Sequence, residues 1–169
     1  MASFDENSAE QLDFGLFQNG WITQYYKREL LELHCTWLRA HGYNLHIMDC
    51  VEWDSKETAL ISIAEQLKFP NYFGRNLDAL NDCLRDLEVP AEAGGVAIIF
   101  LRYDTFASKV PELAHTILNI FAGRARHFML FGQRLAPIIQ SDNPNLTFPP
   151  VGGERPIRNR TEWLNANRG

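Results

Sequence analysis

No uninterrupted apolar run of about 18 residues, the minimum for a membrane-spanning helix, occurs in the 169-residue chain. Its opening stretch, MASFDENSAEQLDF, lacks the basic flank and apolar segment of a secretory signal, so a cytoplasmic setting is expected. Cysteine is scarce: Cys35, Cys50 and Cys83 are odd in number, widely spaced, and form no CxxC pair. This pattern suggests neither zinc nor redox chemistry and predicts three small, partly buried hydrophobes. Positive charge is in deficit, with 16 Lys and Arg against 21 Asp and Glu and a net charge of -5. A nucleic-acid binder needs a basic footprint, so direct nucleic-acid binding is not expected, whereas a cationic partner suits the balance. The GxSxG, GxxxxGK[ST], HExxH and GxGxxG signatures are all missing. The five histidines (His34, His41, His46, His115 and His127) are scattered without ligand spacing, and His46, in a strand, reads as a hydrogen-bonded core residue. No metal, no cofactor and no catalysis are expected.

What the chain does have is an ordinary globular composition, 46% hydrophobic and 22% charged, enough for one domain with decoration. Its most informative stretch is Asn71 to Glu88, NYFGRNLDALNDCLRDLE. Asn76 is placed to cap a helix, because its side-chain oxygen can accept from a first-turn N–H. After it, Leu77, Leu80, Leu84 and Leu87 recur at three- and four-residue steps and predict one apolar face. Asp78, Asp82 and Asp86 recur every four residues on the other face. Neighbouring carboxylates in such a ladder repel by about 0.2–0.5 kcal/mol. Asp78 recovers part of this at the positive end of the helix dipole, and Arg85 screens part of the rest. By patterning alone, this is an acidic solvated face.

The residues Tyr72, Gly74, Asn76, Leu77, Asp78, Ala79, Leu80, Asp82, Cys83 and Leu84 together resemble the signature of the barstar family, small intracellular proteins that plug a secreted ribonuclease. The likeness extends more loosely over about Tyr43 to Gly132 and reaches neither terminus. It implies an α/β fold: a small three-stranded parallel sheet with helices packed around it. It also implies blockade of an active site, with Tyr72 and Gly74 in the loop and Asp78 and Asp82 on the helix as binding residues, and Asp82 as the phosphate mimic. Tyr72 and Phe73 are candidate apolar anchors, and Asn81 belongs to the same partner-binding set. Three departures narrow the acidic surface. Asn81 stands where the family's best-known member has a bulky aromatic, Arg75 replaces an acidic residue, and the Ala122–Arg126 stretch lacks a carboxylate.

Around this core the expected organisation is an N-terminal extension (1–42), a barstar-like domain (43–132) and a tail containing Pro, Gly and Arg (133–169). The opening dozen residues are expected to be mobile, and Gly15 to Thr23, with Asn19-Gly20 at its turn, could form a hairpin. A helix over Gln24–His41 is predicted from Tyr26, Leu30, Leu33 and Trp37, stopped by Gly42. Leu45–Val51 reads as a strand, Asp54 with Glu57 as a capping box, and Pro70 as the end of the helix that follows. Val96–Leu101 reads as a second strand, Pro111 to Gly123 as a helix, and His127–Phe131 as a third strand. Alternating strands and helices predict parallel pairing with right-handed crossovers. Beyond Gly132, prolines and glycines predict an irregular tail, with Trp163 and Leu164 as docking residues.

The favoured reading is therefore an intracellular inhibitor of a cationic ribonuclease or related nuclease toxin. A carboxylate accepts the same Arg and Lys donors as a phosphate, which gives the acidic face its work. The alternative is a regulatory or scaffold module that binds a non-nuclease partner through the N-terminal helix or the basic tail. A small hydrolase using Asp78 and Asp82 as an acid–base pair would need a cleft around them, whereas the alternating polar face predicts exposure.

Overall fold

The computed structural model describes residues 12–163 apart from 19 and 91. The expected mobility of the opening residues and the docking expected of Trp163 and Leu164 lie outside what is described. Five parallel strands make one sheet, in the order β2-β3-β4-β1-β5. They are β1 (Thr23–Tyr25), β2 (Tyr43–Asp49), β3 (Gly95–Leu101), β4 (Leu135–Gln140) and β5 (Ile157–Arg158). The α/β class and parallel pairing agree with the sequence reading, but the sheet is wider than the three strands expected. Both additional strands come from segments read as decoration.

β3 lies between β2 and β4 and is buried from Gly95 to Phe100, which is why its sequence is a continuous apolar run. The third family strand is β4, not His127–Phe131. Those residues instead belong to α6 (Pro111–Leu130) and the turn after it, and α6 runs straight through Gly123. Gly123 faces open space, so the helix bears only its low propensity, about 1 kcal/mol against Ala. Ala122, Ala125 and Phe128 meanwhile carry the buried stripe onward. Pro137 survives in the middle of β4 for a geometric reason. Val96 N donates to Arg134 O, so even-numbered β4 residues face β3 and Pro137 faces the other side. There β1 pairs only from Ile138 onward, so no ladder bond is forfeited.

The N-terminal region also departs from expectation. Leu12–Phe17 is helix α1 and Thr23–Tyr25 pairs in parallel with β4, so there is no hairpin. The next helix, α2, spans Arg28–Ala40 and ends at Gly42, whose φ of 81° is a left-handed stop that suits glycine. Its buried face is Leu31, Cys35 and Leu38, one position out of phase with the expected stripe. Leu33 is 65% exposed, and Tyr26 precedes the helix. Helix α3 (Lys56–Gln66) opens with a capping box of Ser55 and Thr58 rather than Asp54 and Glu57.

Two apolar clusters sandwich the sheet. α1 and α2 cover one face, with Leu16, Leu31, Leu38 and Tyr43 against Ala97, Ile99 and Ile138. The larger cluster lies under α3, α6, α4 (Leu77–Arg85) and α5 (Tyr103–Lys109). Trp53, Phe100, Phe106 and Phe121 meet there edge-on at 5.1–5.9 Å. The C-terminal segment adds β5 and α7 (Arg160–Trp163). From α7 the buried Glu162 carboxylate accepts hydrogen bonds from the Tyr26 and Lys27 amides at the entry to α2. A carboxylate there suits the positive end of the α2 dipole.

Candidate functional site

The loop before α4 is built by local chemistry. α3 gives way to a left-handed Lys68, and Phe73 N donates to Pro70 O at 2.9 Å, closing a turn. The Phe73 ring packs edge-on against Phe69, with centroids 5.2 Å apart. Tyr72 is driven outward by the same turn and is 86% exposed. Arg75 adopts φ 47°, a conformation that costs a non-glycine residue roughly 1–2 kcal/mol. It is held by Asn76, whose Nδ2 donates to Gly74 O at 3.2 Å and whose Oδ1 accepts from Ala79 N at 2.8 Å. The expected cap is present and fixes both the loop and the helix it starts.

Along α4, Leu80 and Leu84 are fully buried, with Leu77 and Leu87 half-buried beside them. Asp78, Asp82 and Asp86 emerge on the exposed side. No cationic side chain among the described residues lies within ion-pair distance of Asp78. Asp82 and Asp86 share Arg85, at 3.6 and 3.4 Å, with all three side chains more than half exposed. Exposed pairs of this kind are worth about 0.2–1 kcal/mol, so an incoming cation readily displaces Arg85. Tyr72 and Gly74 in the loop and Asp78 and Asp82 on the helix are thus all exposed. Phe73 is partly turned into the core, leaving less apolar surface than expected.

Asn81 is half-buried and already engaged. Its Oδ1 accepts from Arg124 Nε of α6 at 2.9 Å. Two departures seen in the sequence, Asn81 and the Arg in the Ala122–Arg126 stretch, are therefore hydrogen-bonded to each other. That bond ties α4 to α6 and places a guanidinium beside the acidic helix. The pairing was invisible in the sequence because α6 was read as ending at Gly123.

In a parallel sheet of this order, the chain runs in opposite directions from β4 and β1, and their carboxyl ends frame the usual ligand crevice. Here Gln140 fills it, donating to Tyr26 O and Asp142 Oδ1 and accepting from Arg102 N. Gln140 and Glu162 were not singled out in the sequence; neither lies in a motif, and their partners Tyr26, Lys27 and Arg102 lie in loops far away along the chain. His46 is half-buried, and burial lowers its pKa. A groove of about 1520 Å³ lies between α2 and the 146–161 stretch, and one of about 550 Å³ lies beside α5 and α6. Neither is lined by a residue of the 71–88 stretch. Among the described residues no group of three or more His, Cys, Asp or Glu could hold a metal ion. Nor, among the described residues, is any helix long and apolar enough to cross a membrane.

The family described as Barstar (barnase inhibitor) matches residues 43–139, from the start of β2 almost to the end of β4. No curated protein matches the chain. Among solved structures, one described as the structure of Drosophila ORC bound to DNA superposes with a TM-score of 0.51 at 14% identity, covering 82% of this chain and 36% of that one. The Walker-type ATPase paby2304 of Pyrococcus abyssi gives a TM-score of 0.45 at 17% identity, covering 83% of this chain and 45% of that one. The chain therefore spans less than half the length of either. The first likeness is one of fold alone.

Proposed function

The chain belongs to the barstar family, and on that premise we propose that it is an intracellular inhibitor of a ribonuclease or related nuclease toxin. The observation that carries this reading is the exposure of Asp78 and Asp82 on a helix whose opposite face is anchored by the buried Leu80 and Leu84. A nuclease active site is cationic because it binds phosphates, and carboxylates held at fixed spacing satisfy the same donors. Two charges about 4 Å apart attract by roughly 1 kcal/mol in water and about 4 kcal/mol at an effective dielectric of 20. Sealing out water is therefore what gives the contact its strength, and Tyr72 at the loop tip is the side chain placed to do it. Inhibition then needs no chemistry from the chain: α4 and its loop occupy the groove and RNA is excluded.

The alternative, a regulatory or scaffold module that binds a non-nuclease partner through the N-terminal helix or the basic tail, has lost part of the helix surface, although Leu33 stays exposed and Arg155, Arg158 and Arg160 line the groove beside α2. The apolar stripe of α2 is spent on the sheet, with Leu31, Cys35 and Leu38 buried. The test is a titration of ribonuclease activity with this protein, using barnase first and then other basic nuclease toxins, at low and high salt. Stoichiometric inhibition that slows in onset as salt rises and weakens in Asp82→Ala is the expected result. Inhibition indifferent to both Asp78 and Asp82 would exclude this face, and no inhibition of any nuclease tested would exclude the class.

A further inference from the structure

The two edges of the sheet are finished differently. β5 is a two-residue strand, too short to template anything, and so closes its edge by brevity. β2 is seven residues long, and its register with β3 is continuous from Tyr43↔Gly95 to Asp49↔Leu101. Cys50 N donates to Leu101 O and Gly94 N to Gly42 O, so even-numbered residues of β2 face β3. Tyr43, Leu45, Ile47 and Asp49 consequently turn their backbone N–H and C=O groups to the open edge. No hydrogen-bond partner for these groups occurs among the described residues. The strand YNLHIMD contains none of the usual edge guards: no proline, no lysine and no bulge. Its one charge, Asp49, is occupied by Arg102, and Leu45 and Ile47 are only partly buried.

We propose that this edge is a homodimer interface, in which β2 pairs antiparallel with β2 of a second copy. The strand is self-complementary in one register. With the twofold axis beside His46, Leu45 faces Ile47 of the other copy and Tyr43 faces Asp49. Only this register uses all four outward-facing residues of each strand. Each opposing pair exchanges two backbone hydrogen bonds. Leu45 and Ile47 lie on one face of the sheet and cover each other's exposed flanks across the axis. An isologous twofold pairing uses the same patch twice and closes on itself, so no fibre follows. The two sheets become one ten-stranded sheet, and α4, which packs on α6 rather than on β2, stays free for its own partner. This inference is independent of the inhibitor reading.

Sedimentation equilibrium of the full chain tests it first: a concentration-dependent dimer is expected. Ile47→Pro removes an outward N–H and leaves the β3 ladder intact, so it should raise the dimer dissociation constant at least tenfold while preserving the far-ultraviolet spectrum. A second pair of variants does not depend on tolerating proline. His46 meets its own copy in a non-hydrogen-bonded pair, where Cα atoms are about 4.5 Å apart, within disulfide range. In a Cys83→Ala background, His46→Cys should cross-link on mild oxidation and Asn44→Cys should not, since Asn44 sits opposite Met48. A wild-type chain that stays monomeric at the highest concentration reached overturns the proposal. So does cross-linking at 44 in preference to 46.

Discussion

Replacing Asp82 by Ala separates an inhibitory carboxylate from an ornamental one. In the free protein its side chain is 63% exposed and, among the described residues, its ion-pair partner is Arg85, at 3.6 Å. Losing that contact forfeits about 0.2–1 kcal/mol at most, and surface changes of this kind usually fall within about 0.5 kcal/mol. Folding is therefore expected to be almost unaltered. In a complex the same carboxylate would meet a nuclease cation with water shut out. Truncating one partner of a buried charge pair typically costs 2–5 kcal/mol, roughly thirty- to several-thousand-fold in the dissociation constant. Asp86 is the internal control. It caps the C-terminal end of α4, is more exposed, and lies one turn further from the Tyr72 loop. Its removal should cost less than about 1 kcal/mol. The measurement is an inhibition titration for each variant, paired with urea unfolding. Equal losses for Asp82→Ala and Asp86→Ala, or a loss traceable to unfolding, would refute the reasoning.

Other outcomes follow from the packing. Leu80→Ala removes a fully buried side chain between α4 and the core and should destabilise by about 2–5 kcal/mol in chemical denaturation. Gly123→Ala should do the opposite: the new methyl meets nothing within 4 Å on an exposed helix turn, and a gain of about 0.5–1 kcal/mol in the same assay is expected. Burial lowers the pKa of His34 and His46 below the usual histidine value of about 6.5. The unfolded chain then binds protons before the folded one, so stability should fall as pH drops through that value toward the lowered folded pKa values. Urea midpoints between about pH 7.5 and 5.5 check the sign, and His34→Gln should flatten the slope.

How much of this was legible in the sequence depended on how local the cause was. The α4 cap, its leucine stripe and its acidic face are set within a dozen residues, and each stands where the pattern put it. The apolar run of β3 is equally self-evident, because both of its faces are covered. Errors arose wherever a distant neighbour decided the outcome. His127 to Phe131 has the composition of a strand, but the buried stripe of α6 holds all but the last of them in a helix. Pro137 argues against a strand until one knows that its missing N–H points where β1 has not yet begun. Thr23–Tyr25 has no strand signal of its own and owes its conformation to β4 on one side and β5 on the other. At the candidate site the exposed residues were readable, but the bond between Arg124 and Asn81 was not, since it joins helices 43 residues apart.

The carboxylate of Glu162 reaches back 136 residues to the amide of Tyr26. During synthesis the first strand must accordingly wait for β4 to gain its first neighbour and for β5 to gain its second. The stretch from β2 to β4 can meanwhile assemble from near neighbours, because β2 pairs with β3 and β3 with β4 in order of emergence. Maturation of the fold is then a two-act process: a nucleus from β2 to β4 first, and a late zippering of β1, β5 and α7 against it. The amides at the entry to α2 should be the last to gain protection from hydrogen exchange in a refolding pulse, and the first to lose it.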